Sequence, residues 1–264
     1  RGQNQPAFDT QVDVSSVPTQ AGKTLRVGGF DGHTSIINAI DAETGDQKWT
    51  FETDAPVRSQ PTVDDGTVFA GCLDYTLYAV DTETGSEKWS FETGGWIESS
   101  PTVVEDTVFV GSTDTHVYAV DRDTGTPHWD LETDGAVSTS PTVSDGTVFV
   151  WSETDALHAV DADTGAHPWA FDPGEAMISS PTVVEDTVLV GGWDGNMYAV
   201  DAETGTQQWV FEADDTVSTP TVVAGTMFVG TESGTLFAVD AATGSQQGEL
   251  EVSDDAIVSP TVSD

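Results

Sequence analysis

Five imidazoles, one thiol and a recurring set of hydroxyls and carboxylates are the groups in this sequence from which chemistry would have to be built. Asp121-Arg122-Asp123-Thr124-Gly125 and Asp161-Ala162-Asp163-Thr164-Gly165 place oxygens at alternate positions, as a Ca²⁺ loop does. The corresponding stretches elsewhere carry Glu at the middle position, and one carries Ala242 while the rest of the turn persists. A required ligand would not be lost in that way, so hydrogen-bonded turns are expected instead. His33, His116, His128, His158 and His167 share no position in the pattern, so no zinc site is expected. Cys72 stands alone, which excludes a disulfide within the chain and a Cys-based metal cluster. Ser100, Ser140, Ser180 and Ser259 each precede a proline, and a catalytic serine would not be copied so regularly. No Gly-x-Ser-x-Gly elbow occurs. No catalytic residue and no metal ligand is therefore expected. The residues left over are aromatic or charged and break the pattern: Arg58, Tyr75, Trp96, Glu98, His116, Trp151, Met177, Trp193 and Asp194. Such a set suits binding rather than bond-making.

The elements that must position these residues come from a repeat. An Asp opens a turn at Asp41, Asp81, Asp121, Asp161, Asp201 and Asp240, spaced by 40 and finally by 39. A Trp follows at Trp49, Trp89, Trp129, Trp169 and Trp209, and Gly248 takes its place in the last copy. Each period reads as four short strands rich in Val, Thr, Tyr, Phe and Trp, divided by Glu-Asp, Asp-Gly and Asp-x-x-Thr-Gly turns. No window has helical periodicity. Four strands repeated about every 40 residues predict an all-β, six-bladed β-propeller of four-stranded antiparallel blades. A β-solenoid is the weaker alternative.

The domain expectation is one propeller over residues 1–264, with a lead-in over 1–23 and repeats from 24. Residues 257–264 read as a first strand with no second strand after it, while Val17-Pro18-Thr19 is a poor first strand. The C-terminal strand is therefore expected to complete the N-terminal blade and close the ring, which would leave no open sheet edge. The alternative is a fragment of a seven- or eight-bladed ring. In such a meander the second-to-third turns and the inter-blade segments emerge on one face. The pattern-breaking residues fall there, and the near-identical Asp turns fall on the other. In the competing reading Trp151 and Trp193 fill packing gaps and Arg58 pairs with Glu98.

The string Ala-Val-Asp-x-x-Thr-Gly-x-x-x-Trp resembles the tryptophan-docking repeat of the pyrroloquinoline-quinone (PQQ) propeller superfamily, from about residue 24 to 264. That superfamily includes quinoprotein alcohol dehydrogenases, a propeller lipoprotein of the bacterial outer-membrane assembly machine, and PQQ-like repeat proteins of haloarchaea. The resemblance implies that Trp49, Trp89, Trp129, Trp169 and Trp209 pack between blades, with a weaker interface at Gly248. The resembling dehydrogenases hold the quinone with Ca²⁺ on an eight-bladed ring with long insertions, often under a vicinal disulfide. This chain has almost no insertions and no Cys pair, and Arg58 is the only cation in the loops leading into the first strands. No cofactor is expected, with PQQ and calcium as the alternative.

Charge sets the class of partner. Forty-six acidic residues against seven Lys and Arg give a formal charge of −39, and no Lys or Arg follows Arg122. Nucleic acid is excluded as a partner, because phosphate binding needs clustered cations. No apolar run is long enough for membrane insertion. Such a surface repels itself in dilute salt and is screened in brine, which reads as halophilic. A protein binding many Ca²⁺ ions or a basic partner is the competing reading. The chain starts without an initiator Met or a signal-peptide core, so a processed form is expected. The function expected is a non-catalytic scaffold that binds a protein, a peptide or a small polar ligand on its variable face. The alternative is a quinone-dependent oxidoreductase or a sugar-binding or sugar-acting propeller. An extracytoplasmic or cell-surface location is expected from the resemblance, with the cytoplasm of a halophile as the alternative.

Overall fold

Runs such as Thr67–Gly71 and Thr107–Gly111 alternate β-branched and aromatic residues and end in turns that only certain residues can make. The turns explain why the strands are short. In the first copy Asp41 Oδ1 accepts the amides of Glu43 and Thr44 at 2.9 and 3.0 Å. In the third, Asp121 Oδ1 accepts the Thr124 amide at 2.8 Å and its hydroxyl at 2.6 Å. Those amide bonds hold Asp41 down to about 2, the Thr44 amide contributing most. The same bonding recurs at Asp81, Asp161, Asp201 and Asp240. One oxygen of every turn Asp is thus spent on its own loop, as the hydrogen-bonded-turn reading requires.

The computed structural model describes residues 13–30, 34–153, 156–174, 179–213, 215–252 and 260. They form an all-β structure of six antiparallel sheets, matching a six-bladed propeller. The chain divides into two compact units, Arg1–Glu132 and Thr133–Asp264, with three sheets in each.

In the first unit, β1 (Asp13–Val14), β2 (Thr19–Ala21), β3 (Thr24–Phe30), β4 (Ser35–Asp41) and β5 (Gln47–Thr53) make the first sheet. β6 (Thr62–Asp64), β7 (Thr67–Gly71), β8 (Thr76–Asp81) and β9 (Glu87–Glu92) make the second. β10 (Thr102–Val104), β11 (Thr107–Gly111), β12 (His116–Asp121) and β13 (Pro127–Glu132) make the third. Sheets pack face to face. Ile37, Ala39 and Trp49 meet Val68, Ala70 and Val80. Phe69, Leu77 and Trp89 meet Val108, Val110 and Val120.

The second unit repeats the scheme. β14 (Thr142–Ser144), β15 (Thr147–Ser152), β16 (Ala156–Asp161) and β17 (Trp169–Phe171) form its first sheet. β18 (Thr182–Val184), β19 (Thr187–Gly191), β20 (Asn196–Asp201) and β21 (Gln207–Glu212) form its second. β22 (Thr221–Val223), β23 (Thr226–Gly230), β24 (Thr235–Asp240) and β25 (Gln246–Glu251) form its third. β17, at three residues, is half the length of β13 and β21, and it is flanked by Pro168 and Pro173, neither of which has an amide to donate.

Two side chains of the repeat tie the inner strands. The buried Ser59 hydroxyl accepts the Gly71 amide at 2.8 Å and donates to the Gly71 carbonyl at 2.9 Å, and Ser99 does the same with Gly111. The threonine after the repeated proline donates to the proline carbonyl of the next blade, as Thr62 does to Pro101 at 2.6 Å and Thr142 to Pro181 at 2.5 Å.

The N-terminal blade corrects the sequence reading. β2 pairs with β3 in the register Thr19↔Arg26, Gln20↔Leu25 and Ala21↔Thr24, as β6 pairs with β7, and β1 takes the remainder of the same edge. The edge assigned to the C-terminal strand is therefore already filled, and the stretch taken as a lead-in belongs to the blade. Gln20 is tolerated where other copies have Val because its side chain is exposed. Ser16 accepts the Gly28 amide at 2.8 Å, the role Ser59 has in the next blade. The closing strand, 257–264, lies outside the described residues except for Pro260, whose carbonyl accepts the Thr221 hydroxyl.

Candidate functional site

The loop face is built by backbone hydrogen bonds between each inter-blade segment and the second-to-third turn beside it. Ile97 donates to the Cys72 carbonyl at 3.1 Å and Thr93 to the Tyr75 carbonyl at 2.8 Å. On the far side of the same segment Thr113 donates to the Trp96 carbonyl at 2.9 Å, and Trp96 donates to the Thr113 hydroxyl at 2.8 Å. Trp96 is thus held by its backbone on both flanks while its indole is 49% exposed. Tyr75 sits in the left-handed region, at φ 75°, with its ring 45% exposed. A non-glycine residue there is uncommon, and the hydrogen-bonded turn around it sets it. Arg58 Nη1 lies 3.2 Å from Glu98 Oε1, the pairing that the competing sequence reading allowed. In the second unit, Trp193 is 60% exposed on the corresponding turn of its second sheet.

Other candidates have different duties. Trp151 is 1% exposed and packs with Phe149, Leu157, Val188 and Val190. It stands where Gly71 and Gly191 stand in sister blades, at positions where a Cβ would collide with Ile97 or Val217. It fills a gap and presents nothing. Asp194 accepts the Tyr198 hydroxyl at 2.6 Å and the Asn196 amide at 3.0 Å. Asp74 and Asp114 hold Tyr78 and Tyr118 in the same way, and burial together with that carboxylate raises both phenols. Asp194 is thus part of the repeat's framework. His116 stacks on Tyr118 with ring centroids 5.7 Å apart, and its Nδ1 lies 3.0 Å from the Asp114 carbonyl. Met177 lies outside the described residues.

The repeated tryptophans reach the next blade's turn within each unit. Trp49 Nε1 donates to the Thr82 carbonyl at 2.9 Å, and Trp89 Nε1 to the Arg122 carbonyl at 2.9 Å. Gly85, at φ +72°, lies under the Trp49 ring, and a Cβ there would come within 2.8 Å of it. At Gly248 a Cβ would meet nothing within 4 Å, and Leu250 and Val252 beside it are 61% and 57% exposed.

One arrangement escaped the sequence reading. Ser152 Oγ lies 3.0 Å from His158 Nε2, and His158 Nδ1 lies 3.1 Å from His167 Nε2. His158 replaces the tyrosine of sister blades and is 3% exposed. Burial, with the neighbouring imidazole, pushes it down to about 4. The signal was present as two histidines nine residues apart in one copy, His158 on β16 and His167 on the segment just before β17. Elsewhere in the second unit, a cleft of about 340 Å³ is lined by Asp145, Glu185, Asp186, Asp201 and Glu203, and none of the candidates lines it. Among the described residues no three His, Cys, Asp or Glu gather as a metal site.

Six copies of one four-stranded unit, each with the same hydrogen-bonded Asp turn, define the fold. The model described as "Beta-alanine-activating enzyme, beta-propeller" matches residues 12–264. The chain belongs to that beta-propeller family. None of the curated proteins matches this chain. This family propeller is similar to the crystal structure of BamB from Moraxella catarrhalis, at TM-score 0.81 and 20% identity, over 94% of this chain and 80% of that one. It is also similar to the computationally designed Ika8 protein, at TM-score 0.71 and 16% identity, over 100% and 95%. At those identities the likeness is one of fold. Among the described residues no helix of the propeller is long and apolar enough to cross a membrane.

The Arg58 guanidinium, the cation considered for a quinone carboxylate, is paired with Glu98. Cys72 is buried beside the Ala55 carbonyl at 3.0 Å, and burial pushes its thiol up to about 12.

Proposed function

We propose that this propeller is a non-catalytic interaction module, a single domain over residues 1–264, which binds a protein or peptide partner through its uneven loop face. The exposure of Trp96 and Tyr75, on loops whose backbones are held by hydrogen bonds at these residues, carries this reading. A rigid aromatic group on a fixed backbone loses little freedom on docking, which is why such residues dominate binding energy. Nothing equivalent supports catalysis. Among the described residues the turn carboxylates, Ser100 and Ser180, and the single thiol are engaged in the framework. The module is proposed to work without a bound quinone, in concentrated salt and outside the cytoplasm, and its charge argues against nucleic acid. The enzyme named in the family description is not thereby an activity of this chain.

A photo-reactive phenylalanine analogue at position 75 tests the reading against one at Glu43, on the opposite turns. Cross-linking in the native host should trap a discrete partner from position 75 and not from Glu43, and adding Trp96→Ala with Arg58→Ala to the position-75 chain should abolish capture without changing the circular dichroism spectrum. Equal yields from both positions, or capture that survives the double substitution, would overturn it.

A further inference from the structure

We propose that His158 and His167 chelate one divalent transition-metal ion, Cu²⁺ before Ni²⁺ or Zn²⁺, on the first blade of the second unit. The two nitrogens that face each other, His158 Nδ1 and His167 Nε2, are 3.1 Å apart. With metal–nitrogen bonds of about 2.0–2.1 Å, two imidazoles on one ion stand about 2.9 Å apart when cis on a square plane and about 3.4 Å apart on a tetrahedron. The observed separation falls between these values, so either geometry needs only a small turn of one ring. His167 is exposed and free to make it, whereas His158 is held in β16 at 3% exposure.

The tautomer is set by the groups behind the pair. Ser152 is fully buried, with its hydroxyl 3.4 Å from the Ala156 carbonyl, to which it donates. With that donation made, the hydroxyl is open to accept from His158 Nε2–H at 3.0 Å, the tautomer in which the lone pair on Nδ1 is directed at His167. A ligating imidazole whose other nitrogen donates to a fixed acceptor is the usual arrangement of a metal-binding histidine. The surroundings favour a cation. Asp134 is the carboxylate that acts on His158, and no Lys or Arg follows Arg122, so no side-chain ammonium or guanidinium within this unit competes. The exposed side of His167 leaves the remaining positions of the ion to water. Imidazole nitrogens select Cu²⁺, Ni²⁺ and Zn²⁺ over Ca²⁺ and Mg²⁺, which take oxygen, and the affinity order places Cu²⁺ first.

The test titrates the full chain with Cu²⁺ alone in molar KCl, by calorimetry and by electron paramagnetic resonance. One ion per chain should bind with a nitrogen hyperfine pattern from two imidazoles, and excess Ca²⁺ should not displace it. His167→Gln, at an exposed position, and His158→Tyr, which installs the sister-blade residue, should each weaken binding at least tenfold and remove the two-nitrogen pattern. His128→Gln should leave both unchanged. Oxygen-only coordination in the parent chain, or an affinity that the His167→Gln chain retains, would show the pair to be a simple hydrogen bond and the site not to exist.

Discussion

Trp89 and Trp209 occupy the same place in the repeat and differ in a hydrogen bond. Trp89 Nε1 donates to the Arg122 carbonyl at 2.9 Å, while Trp209 Nε1 is buried with no partner. A net hydrogen bond is worth about 1 kcal/mol, and a buried group left without its partner costs about 1–3 kcal/mol. Trp89→Phe should therefore destabilise the fold by about 1–3 kcal/mol more than Trp209→Phe, where the substitution deletes an unpaired donor. Denaturant unfolding of both variants in concentrated salt measures the difference, and equal losses would mean that these indoles act by volume alone. The candidate binding residues divide on the same kind of detail. Tryptophan identity did not tell Trp96, which is exposed, from Trp151, which is buried. What separates them is placement: Trp151 stands within β15 and packs against Val188 and Val190 of the next sheet, while Trp96 stands on the segment between two sheets.

At the scale of strands, the hydroxyl of the inner-strand serine is the repeat's lock. Ser99 is fully buried and satisfies both the amide and the carbonyl of Gly111. Ser99→Ala leaves that amide unpaired and should cost about 1–3 kcal/mol. Hydrogen exchange would show it as faster exchange at the Gly111 amide, and unchanged protection there would refute the role. Most strands were legible because Asp-x-x-Thr-Gly, Pro-Thr-Val and the Trp mark their ends chemically. β2 was not, because Gln20 interrupts the apolar run that identifies its sisters, and its pairing rests on backbone register and on Ser16. The Ser152–His158–His167 chain was not legible either, since β15, β16 and the segment before β17 each supply one member and meet only in the folded sheet.

Across the whole molecule, the seven cations all precede residue 123, so Thr133–Asp264 has acidic groups and no permanent positive charge of its own. Screening lengths shrink from about 10 Å at 0.1 M salt to about 3 Å at 1 M. Dialysis from molar KCl to dilute buffer should unfold the second unit first. Circular dichroism follows the loss, and hydrogen exchange assigns it to residues beyond 132. A spectrum indifferent to desalting, or an earlier loss in the first unit, would contradict the electrostatic account. Ring closure at this scale was the part of the fold the sequence could suggest only by economy, and β2 removes the vacancy that the suggestion relied on.

Cys72 lies at 0% exposure between the first two sheets, packed with Trp49 and Val68. It is the chain's single thiol, and burial keeps it protonated. Reagents that attack sulfur can reach it only when those two blades part. The protein thus carries its own gauge of blade separation, silent while the stack is shut.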